Sequence, residues 1–297
     1  MRKALSKITS VVGWNLFIIC SIALSIYFYN FLMNNSSRDD NSTFAKNIKR
    51  IFQERQSKIA KADINNYINK VRAEGKPLYL AAKFGFNLSH ADLSNIDMRS
   101  ANLRGVNLSY ANLDTANLSK GDLTGIDLAK ASLRGATLRA GILNRTILKG
   151  ANLELADLRE AMLANADLVG ANLTGADLSY ADLTEADLSN ADLSHANLTG
   201  ARFYRTRLNG ANMTDAQCES SDFYYASFID ANLSNVNFKW ARLVDITIQD
   251  SNLSGANFSY ADLRGSILKA NTILNTNFHL AKMDYVSDFQ KSNIGIK

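Results

Sequence analysis

Residues 166–200 read ADLVG ANLTG ADLSY ADLTE ADLSN ADLSH ANLTG, one five-residue phrase written seven times with no residue between copies. A small residue, usually Ala, comes first, Asp or Asn second and Leu third, followed by two variable and mostly polar positions. Followed outward, the phrase keeps its phase from Phe86 to about Tyr285. Between Leu88 and Met283 the third position is filled forty times by Leu, Phe, Met, Ile or Cys. A repeat sustained over that length decides the architecture before any other feature is weighed.

A period of five suits neither regular element. On a helix turning about 100° per residue, successive third-position residues advance by about 140° and leave no apolar face. On a strand five is odd, so they alternate between the two faces. If the chain bends once per repeat and always in the same sense, every third-position side chain points to one axis. The chain then winds into coils that pair through their backbones at about 4.8 Å spacing. Three bends per coil give a period of fifteen, four give twenty. Second-position residues taken every twenty read Asp182, Arg202, Asp222, Arg242, Asp262 and Lys282, alternating in charge, and the third-position aromatics Phe238, Phe258 and Phe278 align. Taken every fifteen, Asp182 is followed by Asn197 and Asn212, and the alternation disappears. Four sides are therefore predicted.

The A-[DN]-L-x-x run resembles the pentapeptide-repeat proteins over about two-thirds of the chain. That resemblance implies an all-β solenoid, a right-handed quadrilateral β-helix of about ten coils, with first- and third-position side chains inside and the other three facing solvent. The residues agree with it. Ala suits the first position because four Leu already crowd each layer and a larger residue would overpack it. Each buried Leu contributes about 1.5–3 kcal/mol relative to exposure. Asp and Asn at the second position can bond neighbouring backbone groups at each bend.

Charge is unevenly spread along the 297 residues, whose net charge is +5. Residues 1–85 hold 14 Lys or Arg against 5 acids, whereas the repeat block holds 17 against 22. The basic character thus belongs to the N-terminal region, where it flanks an apolar segment and points to membrane rather than nucleic acid. A basic segment, 1–10, precedes the run 11–33, VVGWNLFIICSIALSIYFYNFLM, which is long enough to cross a bilayer. Trp14 near one end and Tyr27, Tyr29 and Phe31 near the other suit interfacial anchors. Its length and the position of the small-x-small site Ser21-Ile22-Ala23 inside it favour an uncleaved transmembrane helix over a signal peptide. Lys and Arg ahead of it favour a cytoplasmic N-terminus, which places the repeats on the non-cytoplasmic side.

Residues 34–85 read as a polar linker and an amphipathic helical neck. Phe44, Ile48, Ile51, Phe52 and Ile59 recur at helical spacing among lysines and arginines; Ile64, Tyr67, Ile68 and Val71 follow, ended by Gly75-Lys76-Pro77. Such helices either cover the open first coil or lie on acidic lipid. The cap is the expected role of 64–80; both roles stay open for 43–61. The segment 286–297 is a short C-terminal tail in which Phe289, Ile294 and Ile296 are placed to cover the last coil.

Little in the sequence points to catalysis. His90, His195 and His279 take solvent-facing repeat positions far apart, in no metal-ligand spacing. The Asp residues are locked to the repeat, and phosphate-loop and dinucleotide patterns are absent. Cys20 sits in the apolar segment and Cys218 at an interior third position, so the two are not expected to pair. No cofactor or metal is expected. One departure from the repeat is a candidate interaction patch. Residues 201–210 read ARFYR TRLNG and 221–225 read SDFYY. At twenty residues per coil Tyr204 stacks with Tyr224 and Arg205 with Tyr225, with Arg202 and Arg207 at the flanks; Arg and Tyr are residue types that carry interface energy. A second feature is the run from Glu154 to Asp192, where nine acids face only Arg159. Because some pentapeptide-repeat proteins protect or inhibit DNA gyrase by resembling duplex DNA, this run keeps a DNA-mimic inhibitor as the alternative. The expected protein is a single-pass membrane-anchored, non-enzymatic scaffold. Its partners are a bilayer, through 11–33, and another protein; nucleic acid is not expected.

Overall fold

The computed structural model describes residues 61–288. The expected transmembrane segment 11–33, the linker from residue 34 on, all but the last residue of 43–61, and the tail beyond residue 288 lie outside the described residues. Among the described residues no helix is long and apolar enough to cross a membrane.

The repeat block forms a four-sided parallel β-helix. Second-position residues pair in parallel with the residue twenty later, from Asn87 with Asn107 through Asp182 with Arg202 to Asp262 with Lys282. The expected charge ladder and the four sides are both present. The repeat at 182–186 shows why five residues suffice, because each of its backbone N–H groups has an acceptor. Asp182 donates to the Ala161 carbonyl one coil back at 2.9 Å and Leu183 to the Arg202 carbonyl one coil on at 2.8 Å. Thr184 N–H donates to the Asp182 carboxylate at 3.0 Å. Glu185 donates to the Tyr204 carbonyl at 2.8 Å, and Ala186 closes the turn on Leu183 at 3.0 Å. The Asp or Asn at the second position is thus the acceptor that the bend itself does not supply.

Where the second residue is neither Asp nor Asn, a fourth-position Asp or Asn one coil earlier can take its place. Arg134 N–H donates to Asp114 at 3.1 Å, Ala164 N–H to Asn144 at 3.0 Å and Ile229 N–H to Asn209 at 3.0 Å, past Ser132, Met162 and Ser227 at the second positions. In one column three successive second positions, Ser227, Thr247 and Ile267, lack an Asx side chain. There the bend relaxes into short parallel strands, β1 (Ser227–Ile229), β2 (Thr247–Gln249) and β3 (Ile267–Lys269).

The fifth position carries a constraint that its variable sequence hides. It lies in the left-handed region, at φ 58° for Glu185, 55° for Arg205 and 61° for Tyr225. A non-glycine residue there costs about 1–2 kcal/mol, offset by the N–H bond to the next coil. Gly200, at φ 67°, has a second reason to be glycine: an added Cβ would lie 2.7 Å from the Tyr180 ring.

Inside, the third-position side chains are buried from Leu88 to Leu268, and the first-position residues fill the space between them. Phe238, Phe258 and Phe278 stack at 5.0 and 5.1 Å, as the spacing predicts, and Phe203 stacks on Phe223 at 4.4 Å. The first-position hydroxyls of Thr146, Thr206 and Ser266 are buried, and donate to the carbonyls of Leu123, Leu183 and Leu243 at 2.8, 2.8 and 2.6 Å. Among the described residues no buried side-chain nitrogen or oxygen lacks a partner.

The described part of the neck caps the first coil. Helix α1 (Lys61–Ala73) buries Ile64, Ile68 and Val71, which join the solenoid core together with Leu78 and with Leu80 of α2 (Leu80–Phe84). Between the helices the chain becomes a short edge strand: Tyr79 pairs with Asn102, whose N–H donates to the Leu78 carbonyl at 2.8 Å. The helices cover the apolar end of the coil, and the Leu78–Tyr79 segment pairs the backbone edge on one of its four sides. Outside, Arg72 of α1 clasps Asp97 with two bonds of 2.9 and 3.1 Å, and Lys61 donates to Ser94 at 3.0 Å. At the other end Ile273, Met283 and Val286 are only partly buried and Tyr285 is 91% exposed.

Replacing an inward leucine, as in Leu183→Ala, is expected to cost about 2–5 kcal/mol, whereas Thr184→Ala on the outside stays within about 1 kcal/mol. Ile68→Asp should expose the end of the first coil. Chemical unfolding of the variants, followed by circular dichroism, checks these outcomes.

Candidate functional site

The solenoid fixes the candidate patch by stacking. On one side the second-position column runs Asp182, Arg202, Asp222, Arg242. The corner beside it carries Tyr204-Arg205 in one coil and Tyr224-Tyr225 in the next. The next side carries Asp187 and Arg207. The corner residues at fifth positions are held outward by their left-handed backbone, so neither Arg205 nor Tyr225 can turn into the core.

Three tyrosine rings meet at this corner. Tyr204 lies 5.9 Å from Tyr224 and 6.1 Å, edge-on, from Tyr225, and Tyr224 and Tyr225 are 4.1 Å apart. The Arg205 guanidinium sits 5.1 Å from the Tyr204 ring and 5.8 Å from Tyr225. The Tyr224 hydroxyl donates to that of Tyr225 at 3.2 Å. That bond, with burial and the nearby Tyr225 and Asp245 acting in the same direction, pushes the Tyr224 phenol up to about 12. The ring remains neutral at ordinary pH and serves as a rigid, part-apolar platform.

The structure brings together Tyr204, Arg205, Tyr224 and Tyr225 of the six predicted residues. Arg202 turns to Asp182, at 3.6 Å, and Arg207 to Asp187, at 2.8 Å, so they flank the cluster without joining it. Arg242, which the sequence reading placed only in the charge ladder, belongs to the cluster: its guanidinium lies 4.5 Å from the Tyr224 ring and 3.3 Å from Asp222. The count of twenty places Arg242 beside Asp222, and only the side-chain geometry shows its guanidinium reaching the Tyr224 ring. Beside the corner a depression of about 550 Å³ is lined by Asp167, Glu185, Asp187, Arg205 and Arg207, among others. Its charges are largely paired within it, Glu185 with Arg205 at 3.9 Å and Asp187 with Arg207.

The acidic run 154–192 is interleaved with cations from other coils. Glu154 meets Arg134 at 3.4 Å and Glu160 meets Arg139 at 2.7 Å, while Asp157 is bound by Arg159 at 2.6 Å. Burial alone would raise the Asp187 carboxyl, but hydrogen bonds from Ser189 and Arg207 hold it below its ordinary value. Most of the acids that look isolated in the sequence thus lie within 4.0 Å of an arginine, which for Glu154, Glu160, Asp182, Glu185 and Asp187 comes from a neighbouring coil.

His90 stacks on Tyr110 at 4.9 Å, His195 lies 3.7 Å from Asp215, and His279 meets Tyr260 edge-on at 5.9 Å. Among the described residues no group of His, Cys, Asp and Glu is arranged to hold a metal ion. Cys218 is buried, and burial pushes its thiol well above the ordinary range, which suits packing rather than reaction.

These features define a β-solenoid that displays stacked surface side chains. The family model for pentapeptide repeats matches the chain in eight copies, from 87–119 to 248–284. The chain belongs to the pentapeptide-repeat family, whose fold is the right-handed quadrilateral β-helix. No curated protein sequence matches it. Among solved structures it is similar to HetL, a pentapeptide repeat protein involved in heterocyst differentiation regulation from the cyanobacterium Nostoc sp. strain PCC 7120. The identity is 32%, over 72% of this chain and 92% of that one, with a TM-score of 0.25. It is similar as well to a pentapeptide repeat protein of the Arabidopsis thaliana thylakoid lumen, at 33% identity over 42% of this chain and 69% of that one, TM-score 0.19. QnrB1, a plasmid-mediated fluoroquinolone resistance protein, is 17% identical over 57% of this chain and 87% of its own, TM-score 0.36.

Absorbance titration near 295 nm should show one tyrosine ionising at about pH 12. Tyr224→Phe should remove that component and Tyr225→Phe should return it toward the ordinary tyrosine range. Unchanged titration in Tyr225→Phe would contradict the hydrogen bond.

Proposed function

We propose that this protein is a membrane-anchored, non-enzymatic scaffold that presents the tyrosine and arginine corner of its solenoid to a protein partner. The carrying observation is the cluster of Tyr204, Tyr224 and Tyr225 with Arg205 and Arg242, outward-facing and fixed by the stacking of three successive coils. Such a surface loses little side-chain freedom on binding, and it offers aromatic faces with cationic groups already in place. Tyr225 is 45% exposed, leaving area for a partner to cover. Anchoring is supported by the apolar run 11–33 and its aromatic and basic flanks, and the N-terminal charges favour the non-cytoplasmic side for the repeats.

The reading as a DNA mimic is weaker on the present geometry. A mimic needs a continuous row of free carboxylates, and Glu154, Glu160, Asp182, Glu185 and Asp187 each face an arginine at 4.0 Å or less. The absence of any effect in a gyrase supercoiling assay is the expected result.

Crosslinking in native membranes should capture a protein partner with the wild-type chain and lose it with Arg205→Ala combined with Tyr225→Ala. If every captured partner stays bound to the double variant, the corner is structural only. In intact cells added protease should reach the repeats; protection until lysis would reverse the assigned sidedness.

A further inference from the structure

The junction of the cap and the first coil is a second feature to which no role has yet been given. A depression of about 500 Å³ opens there, lined by Arg72, Lys76, Arg99 and Lys120 together with Pro77, the buried Leu78, Ser100 and Ser119. The four cations come from three separate parts of the chain: the end of α1, the loop after it, and the same corner of two successive coils. Two carboxylates stand against them. Asp97 is shared between Arg72 at 2.9 Å and Arg99 at 2.8 Å, and Glu74 binds Lys76 at 2.7 Å.

The surplus of charge falls on identifiable atoms. Arg99 spends Nε and Nη2 on Asp97 and leaves Nη1 unused. Lys120 is exposed and forms no ion pair among the described residues. The surroundings add to the field: from Arg99 to Lys149 the coils carry eight Lys or Arg against three acids. A concavity lined by one sign of charge concentrates counter-ions, and a guanidinium beside an ammonium is a donor set that suits tetrahedral phosphate oxygens.

We propose that this depression binds a phosphate-bearing anion, the phosphate coming from a phospholipid headgroup or from a free phosphate ester. Arg99 Nη1 and Lys120 Nζ donate to the phosphate oxygens, and the apolar lining residues Pro77 and Leu78 take the glycerol or carbon part. Arg72 positions Arg99 through their common Asp97. The lipid source rests on the anchored reading of 11–33; the phosphate site does not.

The test uses the full chain in phosphatidylcholine nanodiscs, with or without phosphatidylglycerol, and amide hydrogen exchange at residues 97–101 and 118–122 as the readout. In neutral discs, sn-glycerol 3-phosphate is titrated as the soluble probe. Saturable protection by glycerol phosphate assigns the free ester, and protection only in the discs with phosphatidylglycerol assigns the headgroup; either supports the proposal. Lys120→Ala is expected to weaken the effect about tenfold or more. Lys149→Ala, a lysine without an ion pair on another corner, is expected to leave it unchanged. No protection by either probe, or equal loss in Lys149→Ala, overturns the site. Retention of the chain in the disc is scored separately, so failure of the anchor is distinguishable from failure of the site.

Discussion

The structure depends on the rule that a buried or half-buried backbone N–H must find an acceptor. In a five-residue repeat three of the donors, at the second, third and fifth positions, are satisfied by neighbouring coils, and one closes the turn. The fifth donor, at the fourth position, would be left over. The second-position carboxylate or amide takes it, which is why Asp and Asn fill that place so often. The substitutes at Asp114, Asn144 and Asn209 show that the acceptor itself is what matters, since it can arrive from the coil before.

Once backbone pairing fixes coil upon coil, side chains twenty residues apart become neighbours whatever their chemistry. Opposite charges then pair and rings stack on both sides of the wall: Phe238 on Phe258 inside, Tyr204 against Tyr224 outside. Each exposed ion pair contributes little, roughly 0–1 kcal/mol. Their larger consequence is for function, because they pair most of the acidic run and leave Lys120 and one edge of Arg99 among the uncommitted cations at the capped end.

Much of this was legible in the residues. The period gave the coil, the alternation of Asp and Arg in the column from Asp182 gave the four sides, and Ile64, Ile68 and Val71 announced the cap. The left-handed fifth position was not legible, because Glu185, Arg205 and Tyr225 stand where glycine would be expected and the strain is met by a bond to the next coil. The place of Arg242 in the patch was missed for another reason. Arg242 stands at a second position one coil beyond Tyr224, and its place in the column does not reveal that its guanidinium turns toward the corner. The phosphate-binding depression was out of reach of the pattern altogether, since it joins residues of a helix and a loop to residues of the repeat.

Parallel pairing at a constant separation of twenty residues also governs how such a chain can change length. Loss or gain of a whole coil leaves every later residue on its own side and merely moves it along the axis. Loss or gain of one phrase keeps each leucine inward but rotates everything after it by a quarter turn. A tyrosine corner that faced a partner would then face elsewhere, with the core intact. Evolution by single phrases therefore redirects surfaces, and evolution by fours only spaces them.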